Sequence, residues 1–482
     1  MRTMLAVTLA TLLAAPVVGY AQEGRATLER AAAALGAGTL KSIQVTASGV
    51  NYQVGQNAAP TSPWPKFNVK SFTRSVNYET ASLRDELVRT QGEDPPRGGG
   101  GQPVRGEQRQ HFALSGDHAW NVTGDVATPA PIALADRQFQ LWSTPHGVVK
   151  AALAGNPTVA GRTIAFGAPG RYTLRATLDE RGLVEKVEGL VANAVLGDIP
   201  VVVTYADYRD YGGVKFPTRI RQTAGGFPSL DVTVTDVQPN AAVSVAVPDP
   251  VRQAVAATYY STVATQMVAD GVWYLTGGSH HSVVIEMKDH VIVVEAPLND
   301  QRALAVLAET RKLVPGKPIR YVVNSHHHFD HSGGLRAFIA EGIAIVTHEL
   351  NRPFYERAFA SPATVSPDHL AKSGGRPARF ESVADKRVMS DGARTVELHH
   401  IAGNGHHDGL LMVYLPKEKL LSQADAFNPL AANAPVPSPP NPATVQLADT
   451  IAKLRLSVDQ LMPLHGRLVP LAELHRTIGR SN

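Results

Sequence analysis

The chain has 482 residues, of which 44% are hydrophobic and 18% are charged, and its formal net charge is +4. This length predicts about two or three domains of roughly 100–200 residues each, and so small a charge without a long basic run gives little support to nucleic-acid binding. The chain has no cysteine, which excludes disulfides, thiolate metal ligands and a cysteine nucleophile.

The N-terminus has the pattern of a cleavable secretory signal over residues 1–21. A basic start at Arg2 precedes an apolar run from 4 to 18, and Gly19 and Ala21 provide small residues at the expected cleavage site. We expect cleavage after Ala21, a periplasmic or secreted mature protein, and no integral membrane segment after the signal is removed. An uncleaved anchor is the alternative, although the apolar run is short for a membrane span.

Residues 22–250 predict a β-rich N-terminal domain. A short helix is expected over 26–36, and alternating apolar and polar residues between 43 and 235 predict an antiparallel sheet with one solvated face. A helix could lie within 134–153. The Pro/Gly-rich segment 95–104 predicts an exposed loop, and 240–250 predicts a linker.

One hairpin of this domain, residues 205–217, resembles a hairpin of periplasmic lipoprotein carriers. That resemblance implies a half-barrel with a concave apolar surface for a substrate or partner. The alternative, which we prefer, is a structural domain packed against its neighbour, with the aromatics of the hairpin in the core and rim. These aromatics are Tyr205, Tyr208, Tyr211 and Phe216.

The stretch 324–334 carries the strongest chemical signal of the chain. Its potential metal ligands have the spacing His-x-His-x-Asp-His and are His326, His328, Asp330 and His331. An apolar strand is predicted over 319–323, and Gly333 and Gly334 precede a predicted amphipathic helix, so the ligands lie on a tight turn. Imidazole and carboxylate are ligands that zinc prefers. A solvated His-rich loop is the alternative.

Three further candidate ligands stand at ends of predicted strands in the C-terminal half. His406 precedes the strand 410–415, Asp425 ends a strand that begins at 420, and His465 ends a strand that begins near 461. Because α/β folds place their sites at strand ends, we expect these side chains to meet the His-rich turn in one cavity.

In this order the motif resembles the metallo-β-lactamase superfamily of binuclear metallohydrolases, over about residues 258–482. The resemblance implies a fold of the α/β or α+β class, with a C-terminal αββα sandwich after the antiparallel β domain. It implies two divalent ions, with zinc as the default and iron or manganese as alternatives. His326, His328 and His406 would hold one ion, Asp330, His331 and His465 the other, and Asp425 would bridge them.

The chain departs from the usual pattern of this superfamily at two positions. Glu295 stands where many members have aspartate, and we expect it to orient a ligand histidine. His407 stands where a small hydroxyl residue is usual, and we expect His407 and His327 either to support the site or to face solvent rather than to be ligands. His280 and His281 could line the cleft or lie at the surface.

The implied chemistry is metal-dependent hydrolysis, in which a metal-bridging hydroxide attacks a small-molecule substrate and Asp330 is a candidate proton donor. A bridging carboxylate resembles the glyoxalase II, lactonase and phosphodiesterase-like branches, which favours an ester, a lactone or a related acyl bond. A β-lactam hydrolase is an alternative, as are an iron-dependent oxygenase and a metal-binding periplasmic carrier without hydrolytic activity. Specificity should come from the loops 351–379, where Tyr355 could face substrate or pack inside a lid, and 428–442.

Overall fold

The computed structural model describes residues 15–168, 172–431 and 434–480. Most of the predicted signal, residues 1–14, lies outside the described residues. The first helix, α1 (Ala15–Leu35), runs across the predicted cleavage point and includes most of the helix expected at 26–36. In the part of the chain that is described, no helix is both long enough and apolar enough to cross a membrane.

The N-terminal half forms one antiparallel sheet of thirteen strands. Its spatial order runs from β6 through β1 to β13 and then back from β13 to β7, so β1 and β13 are paired at the centre. The strands are β1 (Ser42–Tyr52), β2 (Lys66–Asn77), β3 (Ser82–Gln91), β4 (Gln108–Ser115), β5 (His118–Thr123), β6 (Val126–Pro129), β7 (Thr158–Ala160), β8 (Thr163–Ala168), β9 (Tyr172–Leu178), β10 (Val184–Asn193), β11 (Gly197–Tyr211), β12 (Val214–Ala224) and β13 (Phe227–Pro239).

Helices cover one face of this sheet, as its alternating burial requires. Along β9 every second residue, from Tyr172 to Leu178, is buried, and these side chains share a core with α1 and with two helices, α2 (Leu134–Trp142) and α3 (Pro145–Ala154). The helix expected within 134–153 is thus a pair, because Thr144 caps a new helix by accepting a hydrogen bond from the backbone N–H of Gly147 at 3.2 Å.

The predicted hairpin at 205–217 is confirmed as the β11–β12 pair. Tyr205 and Phe216 are buried in the core of the domain. The predicted linker is irregular until α4 (Asp249–Gln253), whose Val251 packs against Trp120 of β5.

The C-terminal half contains a seven-stranded and a six-stranded sheet. In the first, β14 to β17 are antiparallel and β17 to β20 are parallel. Its strands are β14 (Ala264–Ala269), β15 (Val272–Thr276), β16 (Ser282–Glu286), β17 (Val291–Val294), β18 (Ile319–Val323), β19 (Ala344–His348) and β20 (Phe380–Val383). The second sheet contains β21 (Lys386–Ser390), β22 (Thr395–His400), β23 (Leu411–Leu415), β24 (Leu420–Gln423), β25 (Gln460–Pro463) and β26 (Val469–Pro470).

Helices flank both sheets of this half. They are α5 (Asp300–Leu313), α6 (Phe329–Ser332), α7 (Leu335–Ala340), α8 (Arg352–Ala360), α9 (His369–Lys372), α10 (Pro442–Lys453) and α11 (Leu471–Thr477). Asn299 caps α5 by accepting a hydrogen bond from the backbone N–H of Arg302 at 2.9 Å.

Three separate apolar cores show that this half is layered. One core lies between the two sheets and joins Val323 and Val346 to Leu398 and Val413. A second lies between the first sheet and the helices α5 and α7, and a third lies between the second sheet and the helices α10 and α11. The layers therefore follow the order helix, sheet, sheet, helix, which confirms the predicted αββα sandwich behind an antiparallel domain.

Candidate metal centre

Most candidate ligands lie on loops at strand ends, and Asp330 and His331 lie on the short helix α6. Residues 324–328 follow β18, His406 lies between β22 and β23, Asp425 follows β24, and His465 follows β25. Asp425 has a positive φ of 60°, a conformation that is uncommon for residues other than glycine and that clusters at functional sites.

The two glycines after the His-rich turn allow a close backbone approach. A Cβ on Gly333 would lie 2.1 Å from the carbonyl oxygen of Leu298, and a Cβ on Gly334 would lie 2.8 Å from the Cβ of Ala303. The turn therefore packs tightly against the start of α5, which fixes the positions of Asp330 and His331.

The first group of donors contains His326, His328, His406 and Asp425, whose ligand atoms lie within 4.8 Å of one another. His326 Nδ1 is 2.9 Å from the hydroxyl of Ser325, so His326 Nε2 is left to face the centre, 3.2 Å from His406 Nε2. His328 donates from Nε2 to the backbone oxygen of Asn57 at 2.9 Å. Its Nδ1 is buried without a hydrogen-bond partner, as a metal-facing nitrogen would be.

The second group contains His280, Asp330, His331 and His465, again within 4.8 Å. His331 Nδ1 is 3.1 Å from Glu295 Oε2, and His465 Nδ1 is 3.1 Å from the backbone oxygen of Ser279. The two Nε2 atoms of His331 and His465 point at each other across 3.0 Å. His280 Nε2 is 3.1 Å from Asp330 Oδ2, so this histidine is buried beside Asp330 rather than at the surface and joins the donor group.

Asp425 lies between the two groups. Its Oδ2 is 2.7 Å from His331 Nε2 and 3.3 Å from His406 Nε2, and its Oδ1 is 3.3 Å from His465 Nε2. One carboxylate thus contacts imidazoles of both groups, which is the placement that a bridging ligand requires.

The electrostatics of the site fit a bound cation. Burial, and then the neighbouring His328, hold the pKa of His326 well below its usual range. Burial alone would raise the pKa of Asp425, but His331 and then His465 hold it well below its usual range. Burial opposes a charge on His331, but Asp425 and then Asp330 hold its pKa well above the usual range, so this imidazole would lose its proton when an ion binds. With that proton released, buried imidazoles whose lone pairs converge on a carboxylate form a donor set for a divalent ion. The chemistry of the residues therefore fits the metal that the sequence motif implies.

Glu295 supports both donor groups, in the place where we expected it. It is fully buried, has a positive φ of 72°, and accepts hydrogen bonds from Asn324 Nδ2 at 3.0 Å and from the backbone N–H and the hydroxyl of Ser325. It also contacts His331 directly. Because the hydroxyl of Ser325 also contacts His326, one carboxylate fixes the tautomers of a histidine in each group.

His327 and His407 are buried beside the centre and are in neither donor group. His407 Nδ1 accepts the backbone N–H of Gly409 at 2.9 Å, so His407 Nε2 carries the proton and donates to His327 Nδ1. His327 Nε2 in turn donates to Asn57 Oδ1 at 2.8 Å. The two histidines thus connect the His-rich turn to the N-terminal domain through hydrogen bonds.

The β-rich domain also reaches the centre through two loops, which sequence reasoning missed. Gln56 donates from Nε2 to Asp330 Oδ1 at 2.7 Å, and the backbone N–H of Gly98 donates to the carbonyl oxygen of Gly405 at 2.9 Å. The predicted loop at 95–104 is confirmed, but the expected exposure is wrong at Gly98 and Gly99, which are buried against the site. The run of glycines was the only sequence feature that indicated a close backbone approach, and it does not indicate which residues the loop contacts.

The segment 351–379 does not form the predicted lid. Tyr355 lies on α8, is fully buried, and donates its hydroxyl to Asn324 Oδ1 at 2.6 Å. A cavity of about 400 Å³ opens over the centre, and none of its described lining residues comes from 351–379. By contrast, Asn428 and Asn441, from the predicted loop 428–442, both line this cavity. Tyr355 is thus a packed residue that supports the loop before His326.

Residues 275–471 match the family model described as the metallo-beta-lactamase superfamily. This part of the chain belongs to the metallo-beta-lactamase superfamily. A metallo-beta-lactamase from Pontibacter korlensis is similar over 45% of this chain and 98% of its own, with 18% identity and a TM-score of 0.34. The DIM-1 metallo-beta-lactamase gives 18% identity and a TM-score of 0.34, over 45% of this chain and 95% of its own.

A curated relative, the alpha subunit of 2,4-dinitroanisole O-demethylase from Nocardioides sp. (strain JS1661), is 27% identical over 165 residues. The match covers 34% of this chain and 46% of that protein, so it spans about half of the relative's length. These comparisons give no support to the resemblance of the N-terminal half to lipoprotein carriers. Superfamily membership implies a metal-dependent, hydrolase-like function, in a family that also contains non-hydrolytic members.

Proposed function

We propose that this protein is an exported binuclear metallohydrolase that cleaves an ester, a lactone or a related acyl bond. The observation that supports this most is the position of Asp425, whose two carboxylate oxygens contact imidazoles from both donor groups. The first ion would be held by His326, His328 and His406, the second by Asp330, His331 and His465, and Asp425 would bridge them. Zinc suits this nitrogen and oxygen donor set best.

When bound, two divalent ions would supply a hydroxide nucleophile near neutral pH and would polarise the scissile carbonyl. The protein's own part is to keep the donor atoms in place. Glu295 and the backbone oxygens of Ser279 and Asn57 hold the rear nitrogens of His331, His465 and His328. Each of these imidazoles therefore presents its other nitrogen to the centre without reorganising.

Asp330 is held at both carboxylate oxygens, by Gln56 on one side and His280 on the other. Burial would raise its pKa, but His331 and then His280 hold the pKa below its usual range. This environment favours the ionised form, so we assign Asp330 a ligand role first. A role as proton donor to the leaving group would require that a hydrogen bond to Asp330 is released during turnover.

Export follows from the signal-like first 21 residues and is part of the proposal. A test that does not depend on activity is the N-terminal sequence of the protein recovered from culture fluid or periplasm, which should begin after Ala21. A mature chain that keeps residues 1–21 and remains with the membrane fraction would contradict it.

A second candidate reaction is cleavage of an aryl methyl ether, because the curated relative is a subunit of an O-demethylase. The cavity over the centre is lined mainly by carboxamides, glycines and the metal-binding side chains, and its described lining includes no aromatic ring besides the imidazoles. That surface suits a polar acyl substrate better than a nitrated anisole, so acyl hydrolysis is the primary proposal.

The deciding experiment measures hydrolysis of a chromogenic ester, a lactone, a chromogenic cephalosporin and 2,4-dinitroanisole, before and after removal of metal by a chelator. We expect acyl hydrolysis that is lost with the chelator and restored by Zn²⁺. Turnover of the anisole alone would favour the second candidate, and preferred turnover of the cephalosporin would make the protein a β-lactam hydrolase. Metal-loaded protein that attacks none of them would contradict the proposal.

A further inference from the structure

The cavity over the metal centre has an unusual chemical character. Its described lining contains five carboxamide side chains and no lysine or arginine; the carboxamides are Gln53, Gln56, Gln102, Asn428 and Asn441. Three of the five, and also Gly100 and Gly101, come from the β-rich domain, while the metal-binding side chains come from the other half of the chain. One domain therefore holds the metal donors, and the other forms a neutral polar wall opposite them.

Arg89 organises this wall from behind. It is buried on β3, with 1% of its surface exposed, and its guanidinium lies 3.7 Å from the ring centroid of Phe67. Its three side-chain hydrogen bonds run to neutral oxygens, which belong to Gln53 at 3.0 Å, Gly100 at 3.0 Å and Gln108 at 2.6 Å. A buried cation bonded in this way costs free energy, and it fixes the carboxamide of Gln53 and the backbone of Gly100 before any substrate arrives.

The orientation of Gln53 leaves a donor available. Because its Oε1 accepts from Arg89, its amide Nε2 is directed away from that contact, and within the described part of the chain Nε2 makes no hydrogen bond. Gln56 is different, since its Oε1 accepts from the backbone N–H of Gly100 at 3.0 Å and its Nε2 donates to Asp330. Gln53 is thus a candidate substrate contact, and Gln56 is a positioning residue.

At the glycines of this loop a side chain would clash with neighbouring atoms. A Cβ on Gly99 would lie 2.0 Å from Gln56 Oε1 and 3.0 Å from His328 Cε1, and a Cβ on Gly100 would lie 2.7 Å from Gln53 Cγ. Gly100 and Gly101 also have positive φ values of 76° and 83°. The loop can therefore pass close to the centre only as bare backbone, which keeps the floor of the cavity polar.

We propose that the β-rich domain is the recognition wall of the active site, and that the substrate is a neutral, hydroxyl-rich acyl compound, such as a lactone of a polyhydroxy acid or a sugar ester. This inference rests on the proposed hydrolytic function. A carboxamide both donates and accepts hydrogen bonds, as a hydroxyl group does, so several carboxamides match several hydroxyls. An anionic group held by this wall, away from the metal ions, would instead need a lysine or arginine, and a long acyl chain would need an apolar surface.

A matched pair of lactones tests the substrate class. D-glucono-1,5-lactone and δ-valerolactone share the same six-membered ring and the same scissile bond, and differ in their hydroxyl groups. We expect kcat/KM of the metal-loaded protein to be at least about tenfold higher for the hydroxylated lactone, because a site built to bind hydroxyls discriminates against analogues that lack them. Equal or lower kcat/KM for the hydroxylated lactone would overturn the proposed substrate class.

Two variants of one residue test the wall. Gln53→Glu keeps the acceptor for Arg89 but removes the amide donor, and Gln53→Met removes both. We expect each to lower the ratio of the two kcat/KM values at least about threefold, mainly through KM, with the metal content unchanged. Gln238→Glu, on the exposed face of β13, is the control and should keep the wild-type ratio.

The outcomes separate this inference from the function on which it rests. Both Gln53 variants with the wild-type ratio would overturn the recognition role of the β-rich domain. Turnover of δ-valerolactone without any preference for hydroxyls would leave acyl hydrolysis standing and overturn only the inference. Metal-loaded protein that hydrolyses neither lactone and no other ester would contradict both.

Discussion

Replacing Glu295 by glutamine should weaken metal binding at both donor groups. Four donors converge on this carboxylate, namely the amide of Asn324, the backbone N–H and the hydroxyl of Ser325, and Nδ1 of His331. A carboxylate accepts all four, whereas glutamine offers one oxygen and turns an N–H group towards the remaining donors. The substitution preserves size, so the change isolates hydrogen bonding and charge.

The magnitude follows from the role of the contacts. Removing the partner that orients a ligand histidine typically costs 10–100-fold in metal affinity, which corresponds to about 1.4–2.7 kcal/mol. A buried donor left unsatisfied costs a further ~1–3 kcal/mol of folding stability. We therefore expect Glu295→Gln to lower metal affinity by one to two orders of magnitude and to lower the melting temperature of the metal-free protein.

Competition with a chelator of known affinity measures the first effect, and thermal unfolding of the metal-free protein measures the second. Glu286→Gln, at the end of β16, is the matched control, because Glu286 is partly exposed and pairs with Lys317 at 2.7 Å. Such surface pairs contribute only ~0–1 kcal/mol, so the control should bind metal like the wild type. Unchanged affinity in Glu295→Gln would refute the orienting role of this carboxylate.

Variants at three other positions test further parts of the structure. Gly99→Ala should lower kcat/KM at least about tenfold, because the new Cβ displaces Gln56, whereas Gly38→Ala, with open space around it, should not; similar activity of the two variants would contradict this. His280→Asn should release one metal equivalent at about tenfold lower chelator concentration than the wild type, and identical release curves would remove His280 from the donor group. Burial lowers the pKa of His146 from 6.5 to about 4. As the pH drops from 6.5 to 4, the free energy of unfolding of the wild type, measured by chemical denaturation, should therefore fall by about 3 kcal/mol more than that of His146→Gln. Free energies of unfolding that change in parallel with pH in the two proteins would refute this.

The folded state keeps the imidazole of His146 neutral at pH 6.5, because burial lowers its pKa to about 4. Below pH 6.5 the unfolded chain binds a proton at residue 146 that the folded chain does not bind. The contribution of His146 to the free energy of unfolding is therefore fully present above pH 6.5 and is lost as the pH falls towards the folded-state pKa. His146 donates from Nε2 to the backbone oxygen of Leu35 at 3.1 Å, and its Nδ1 is buried without a partner. Glutamine keeps a donor but does not titrate.

The sequence predicted the metal-binding half well because its signals are local. A His-x-His-x-Asp-His turn between a buried strand and a glycine pair specifies both ligand type and direction, and His406, Asp425 and His465 each stand beside an apolar strand. Strand ends of one layered domain meet at one edge, so the spatial cluster followed from the linear pattern. Glu295 was placed for the same reason.

The contributions of the N-terminal half could not be predicted in this way. Gln56 and Asn57 contact residues about 270 positions away, and neither a lone carboxamide nor a backbone oxygen carries a recognisable motif. The glycine run 98–101 was visible, but its burial depends on how two domains meet. Tyr355 was expected either to face substrate or to pack inside a lid. It packs, but as a buried support of the loop before His326, so only the lid was wrong.

The central claim is that two metal ions are held around Asp425, and the most direct test is the metal content of the purified mature protein, measured together with hydrolysis of a lactone during chelation and reconstitution. We predict about two zinc equivalents per chain, with hydrolysis that falls as metal is removed and returns with it, and Asp425→Ala should lose both ions. A protein that retains a single iron and hydrolyses nothing, or that binds no metal at all, would contradict the account.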